Sequence, residues 1–238
     1  MHRRFSFNGS IVLKHWQNVN NSLSLGGIVS HPELNPILHN QAPVPLLVII
    51  SGPSGVGKDT VLMRMREFGM PFHFVVTTTS RGQRPGELEG FDYNFVSKAE
   101  FETMIAQNDL LEHAVVYGEY KGIPKSQVRD ALASGKDVIL RIDVQGAATM
   151  RKLVPDAVLI FIVPPSSAEL ANRLRLRRTE SAEGLERRMA LAEEEMGRVD
   201  EFDYVVMNPE SRPDEAASMI QAIIRAEKSR IRPRRIKL

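Results

Sequence analysis

Ser51-Gly52-Pro53-Ser54-Gly55-Val56-Gly57-Lys58-Asp59-Thr60 directly succeeds the apolar run Leu46-Leu47-Val48-Ile49-Ile50. Five consecutive leucine, valine and isoleucine residues predict a strand buried on both faces, and the ten residues after them read as a glycine turn opening into a helix. In that setting the stretch is a phosphate-binding loop. Gly52, Gly55 and Gly57 permit positive φ and let backbone N–H groups approach phosphate oxygens with no Cβ in the way. Lys58 is placed to reach the β- and γ-phosphates, and the helix adds the positive end of its dipole. The residues from Gly52 to Thr60 are therefore expected to bind a nucleoside triphosphate. One position is irregular: Asp59 stands where a Ser or Thr hydroxyl normally meets Mg²⁺.

Outward from the loop the chain alternates. Further strands are expected over 137–142, 158–163 and 204–207, and helices over 59–68, 98–107, 126–134, 145–153, 167–175, 182–201 and 212–230. Continuous apolar strands between amphipathic helices predict a doubly wound α/β core with a parallel sheet. Two stretches break the rhythm. Residues 72–123 hold short aromatic and β-branched runs (74–79, 92–96 and 113–116) among glycines and charges, which predicts a small β-rich insertion. Residues 173–198 form an arginine-dense helical segment with a break near 179–184.

The 238 residues carry a net charge of +2, all of it contributed by residues 1–45, where Arg3, Arg4 and Lys14 face the single acid Glu33. The remainder is neutral, which argues against a nucleic-acid-binding body, since that needs a basic face. No run approaches the ~20 apolar residues of a membrane span. With no cysteine, disulfides, thiolate zinc sites and cysteine nucleophiles are excluded. Residues 1–45, rich in Asn, Ser and Arg and nearly free of acids, read as an organelle-import leader outside the folded domain of 46–238. The basic run Lys228–Lys237 reads as a solvated tail after a helix.

The insertion carries Thr77-Thr78-Thr79-Ser80-Arg81-Gly82-Gln83-Arg84, then Asp92-Tyr93-Asn94-Phe95. Two arginines three apart, with hydroxyls and a tyrosine, suit a second phosphate, because guanidinium forks bind phosphate oxygens in pairs. With the phosphate loop, Glu112, Ile142-Asp143-Val144-Gln145-Gly146, Pro164-Pro165-Ser166 and Val206-Met207-Asn208, the sequence resembles guanylate kinase over roughly residues 46–228. Taken with the leader, it is most similar to the organelle-targeted guanylate kinases of plants. The resemblance implies a P-loop nucleoside monophosphate kinase with a parallel-sheet core (46–71 and 124–238), a β-rich GMP-binding insertion (72–123) and a helical lid (173–198). It implies transfer of the γ-phosphoryl group of ATP to GMP or dGMP with Mg²⁺, in a monomer of the chloroplast or mitochondrion or both. Thr77, Arg81, Arg84 and Tyr93 would hold the GMP phosphate, and Glu112 and Asp143 the guanine. Lys58, Arg81, Arg173, Arg177 and Arg188 would act on the transferring group, Asn208 would lie near the adenine, and Asp59 would meet the metal.

The chain departs from the family pattern at four further places. Arg141 stands where an acid is usual, Lys121 replaces a tyrosine of the GMP pocket, Ile123 a Ser or Thr that helps hold guanine, and Thr77 a serine. Two other readings remain open on the sequence alone. One is a guanylate kinase-like interaction domain without catalysis; the other is a related P-loop kinase for another phosphorylated small molecule.

Overall fold

A computed structural model describes residues 44–116, 118–176 and 182–238. The leader expected over 1–45 lies outside these residues except for its last two, and so does Arg177. Strand β1 (Leu47–Ser51) is buried along its whole length at the centre of a five-stranded parallel sheet. Around it are β2 (His73–Phe74), β7 (Val138–Arg141), β8 (Val158–Val163) and β9 (Tyr204–Met207), in the order β2-β7-β1-β8-β9. The two faces of β1 show why its sequence is continuously apolar. Val48 and Ile50 point to one face and pack with Val61, Met65, Ile220 and Ile224 of helices α1 (Lys58–Glu67) and α7 (Pro213–Lys228). Leu47 and Ile49 point to the other face, against Val128, Ala131, Ala147 and Met150 of α3 (Lys125–Ala133) and α4 (Val144–Leu153).

Chain order places β7 on one side of β1 and β8 on the other, with Ile50 in register with both Arg141 and Ile160. The connections diverge there, and an open α/β sheet forms its ligand crevice at the carboxyl ends of such strands. The phosphate loop after β1 and the Arg141–Asp143 segment after β7 both open into it.

His73–Phe74, within the stretch read as insertion, pairs with β7 and edges the core sheet. The second sheet has the order β4-β3-β6-β5, from β3 (Thr78–Thr79), β4 (Asn94–Phe95), β5 (Leu110–Val116) and β6 (Glu119–Pro124). Strand β6 has no counterpart among the strands expected from sequence, since Gly122 and Pro124 read as breakers. Gly122 is required because an added Cβ would lie 2.9 Å from the Phe101 ring and 3.0 Å from Leu110. Phe101, on α2 (Lys98–Ala106), also stacks on Tyr120 with ring centroids 5.0 Å apart.

Helices α5 (Ser167–Leu176) and α6 (Ala182–Met196) share a small apolar cluster of Leu170, Leu174, Leu185, Met189 and Ala192, separate from the two main cores. The expected helix over 182–201 ends at Met196, where Gly197 intervenes, and resumes only as a 3₁₀ turn at Val199–Glu201.

Candidate active site

The phosphate loop is shaped by two constraints acting together. Gly52, Gly55 and Gly57 have φ of 138°, 85° and 94°. A Cβ on Gly52 would also lie 2.3 Å from the Ile162 carbonyl oxygen, and one on Gly57 2.5 Å from Asn208 Nδ2. Gly57 enters α1 without a side-chain cap, leaving N–H groups of the first turn open to a ligand. Lys58 Nζ folds back and donates to the carbonyls of Gly52 and Pro53. Burial pulls its pKa down to about 8, against the opposing pull of Glu195 and Asp59. From α6, Glu195 reaches the loop itself, and Ser54 N–H donates to its Oε2 at 3.0 Å.

A single cavity of about 570 Å³ joins this loop to the second sheet. The loop residues Ser54 to Asp59 line one end of it. Thr77, Arg81, Arg84, Tyr93, Glu112 and Asp143 line the other, and Arg188 of α6 lines it as well. Thr77 is buried just before β3. Arg81 is paired to Glu87 at 2.7 Å and lies 5.3 Å over the Tyr93 ring. Glu112 follows a register irregularity in β5, a local device that re-aims a side chain. It is only 7% exposed, and burial first, Asp143 second, raise its pKa to about 7. Gly146 makes room for it: a Cβ there would sit 3.1 Å from Glu112 Oε1. The Gly146 N–H donates to Asp143 Oδ1 at 2.8 Å, so Asp143 caps α4 while facing the cavity. Asp59, in the first turn of α1, is ion-paired with Arg141 from the end of β7.

Residues 45–227 match the family described as guanylate kinase. Guanylate kinase 2, chloroplastic/mitochondrial, of Oryza sativa subsp. japonica is 50% identical, over 82% of this chain and 69% of the relative. The guanylate kinase of Gloeobacter violaceus is 48% identical over 77% of this chain and 87% of its own. The crystal structure of guanylate kinase from Anaplasma phagocytophilum superposes with a TM-score of 0.64 at 31% identity, covering 79% of this chain and 89% of that one. The chain belongs to the guanylate kinase family. Its fold is accordingly that of a P-loop nucleoside monophosphate kinase.

Some residues carried over from guanylate kinases stand back from the cavity. Arg173 is turned behind the loop, donating to Val56 O at 3.0 Å and Asn208 O at 2.9 Å and paired with Glu169. Asn208 Nδ2 donates to Val56 O at 2.8 Å. Its buried Oδ1 has no partner among the described residues. Gly52, Pro53 and Thr60 frame the loop without lining the cavity. Conversely, Glu195, Lys121 and Arg141 line it, although in the sequence Lys121 and Arg141 stand out only as departures from the family pattern. Glu195 lies in an acidic run (Glu193–Glu195) that marks no one residue as special.

Proposed function

We propose that the cavity carries transfer of the γ-phosphoryl group of ATP to GMP, and to dGMP, yielding ADP and GDP. The observation that supports this most directly is the shared cavity, with a phosphate loop and Lys58 at one end and Arg81, Arg84, Tyr93 and the buried Glu112 at the other. Two mutually repelling phosphates need cations on both sides and fixed geometry between them, and phosphoryl transfer asks little more of a protein. In this reading the loop N–H groups and Lys58 hold the donor phosphates. Thr77, Arg81, Arg84 and Tyr93 fix the acceptor phosphate, which is already anionic and needs no general base.

Glu112 and Asp143 accept from guanine N1–H and its 2-amino group. Adenine has no donor at N1, so it would leave a buried acceptor unpaired. Ile123, opposite Glu112 in the hairpin and 1% exposed, contributes packing and no hydrogen bond. Arg188 and Arg177 of the lid segment close over the bound nucleotides and exclude water. Arg173 acts on the transferring group only through the loop, by holding the Val56 and Asn208 carbonyls.

Among the described residues no group of three or more His, Cys, Asp or Glu could cage a metal. That fits Mg²⁺ arriving with ATP, since the ion takes one or two carboxylates plus phosphate oxygens and water. Asp59, two-thirds exposed beside the loop, is the residue that would hold it. When bound, Mg²⁺ neutralises charge on the phosphates.

The partners are ATP and GMP or dGMP, with the protein a monomer that engages neither nucleic acid nor membrane. Residues 1–45 direct the protein to the chloroplast, the mitochondrion or both. This is supported by their composition and by the likeness to a rice relative named chloroplastic/mitochondrial. A fusion of residues 1–45 to a fluorescent protein tests it, and a diffuse cytosolic signal refutes it.

The activity is tested by ADP release from Mg-ATP with GMP, dGMP, AMP, CMP and UMP in turn. Turnover confined to GMP and dGMP is expected; none with any acceptor would refute the reading.

A further inference from the structure

The cavity holds more positive charge than the two-arginine segment provides. Arg141 closes β7, in register with Ile50 of the strand that leads into the phosphate loop. Its side chain is 17% exposed and touches both halves of the site. It is ion-paired to Asp59 in the first turn of α1. On the acceptor side its guanidinium lies 4.9 Å over the Tyr93 ring and donates to Asp92 O at 3.4 Å. Arg81 and Lys121 lie over the same ring, at 5.3 and 5.8 Å from its centroid.

Three cations gathered around one half-buried ring repel one another. Burial, then Arg141, depress the pKa of Lys121. Glu87 answers Arg81 and Asp59 answers Arg141, while Lys121 has no ion-pair partner among the described residues. Attraction to one ring is weak beside repulsion between unit charges at low dielectric. A cluster of this kind suits a dianion between its members.

The two partners of the Arg141–Asp59 pair differ in exposure. Asp59 is 67% exposed, at the solvent side of the pair. Arg141 is held in place by Tyr93 and Asp92. Its planar fork of donors binds phosphate oxygens in pairs, and the edge now given to Asp59 is the edge that would do so.

We infer that Arg141 is a phosphate-contacting residue of the acceptor subsite, its guanidinium kept against Tyr93 and Asp92 and contested between Asp59 and the acceptor's phosphate. This rests on the reading of the cavity as a GMP site. It assigns to Arg141 a direct role in recognising the acceptor's charge, and to Asp59 that of a competing anion that weakens binding.

The test is calorimetric binding of GMP and of guanosine to the full chain, without ATP or metal, for the wild type, Arg141→Met, Arg141→Lys and Asp59→Asn. Arg141→Met is expected to weaken GMP by 10- to 100-fold and leave guanosine unchanged. Arg141→Lys should recover part of the loss. Asp59→Asn should tighten GMP several-fold, an effect in the opposite direction that a misfolded variant could not imitate. Equal loss of GMP and guanosine in Arg141→Met, or GMP binding unchanged in Arg141→Met, overturns the inference, and GMP binding unchanged in Asp59→Asn overturns the role given to Asp59. If the wild type binds no GMP, the reading of the whole cavity fails with it; if it binds GMP and Arg141→Met matches it, only this inference fails.

Discussion

Buried on β5 and close to Asp143, the Glu112 carboxyl is raised to about 7 from 4.5, burial contributing most. Its linkage to folding has a definite sign. Between pH 4.5 and 7 the folded chain keeps a proton that the unfolded chain has released, so stability falls as pH rises through that window and stays lowered above it. At 1.36 kcal/mol per pKa unit the penalty at pH 8 is about 3 kcal/mol as an upper bound. Glu112→Gln carries no such penalty. It should melt higher than the wild type at pH 8 and no higher at pH 4, which thermal denaturation at the two pH values will show. The same variant should lose roughly 10²- to 10³-fold in kcat/KM for GMP, because an amide cannot accept from both guanine donors. If Glu112 holds guanine as proposed, only its ionised carboxylate accepts both, so KM for GMP should climb as pH drops below 7 while KM for ATP stays flat. A GMP profile unchanged between pH 6 and 8 would remove Glu112 from base recognition.

At the scale of elements, α6 competes with the ligand that the phosphate loop is built for. Ser54 N–H donates to Glu195 Oε2, and burial, partly countered by that bond and by Lys58, raises the carboxyl's pKa. On the proposed reading, donor phosphates would take the same N–H and face the same carboxylate, so the Glu195 side chain would have to give way before ATP seats. Glu195→Gln keeps an acceptor but removes the charge. Relief of about 1 kcal/mol, the scale of one hydrogen bond, lowers KM for ATP roughly fivefold with KM for GMP unchanged. Initial-rate kinetics with each substrate varied in turn will decide it, and an unchanged or raised KM for ATP would count against competition. Elements are legible in the sequence where their pattern is local. The apolar runs of β1, β7, β8 and β9 announce themselves. Strand β6 does not, because Gly122 is there to admit Phe101 and Leu110 from elsewhere in the chain. Glu195 is equally hidden, for its role depends on α6 crossing to a loop 141 residues away.

Over the whole molecule, function and stability occupy opposite ends of one sheet. The cleft gathers at the carboxyl ends of β1 and β7. At the other end, a run that reads from sequence as a solvated tail is docked instead. Arg234 donates to Glu227 on α7 through Nε at 2.9 Å, to the carbonyl of Ala157 just before β8, and lies 3.7 Å from Asp203 just before β9. Glu227, 1% exposed, also accepts from the hydroxyl of Tyr204. Lys228 pairs with Asp137 at 2.7 Å, and Asp137 accepts from the N–H of Leu46 at the entry to β1. Ile236 completes the closure against the apolar cluster of Leu47 and Leu159. Such long-range ties cannot be told from a sequence in which Lys228–Lys237 looks merely basic. Removing Arg234 would leave a buried carboxylate with weaker partners, a loss of about 3–5 kcal/mol. For a domain of this size that is a fall in Tm of roughly 6–15 °C. Arg234→Met should show this fall in calorimetry while kcat and both KM values at 20 °C stay at wild-type levels, since the cleft lies at the far end of the strands. Replacing both partners, Glu227→Met with Arg234→Met, should recover much of the lost Tm, because an apolar pair of similar volume leaves no charge unanswered. A Tm for Arg234→Met within a degree of the wild type would mean that the tail lies on the fold without holding it. A loss of activity at unchanged Tm would mean that the two ends of the sheet are coupled.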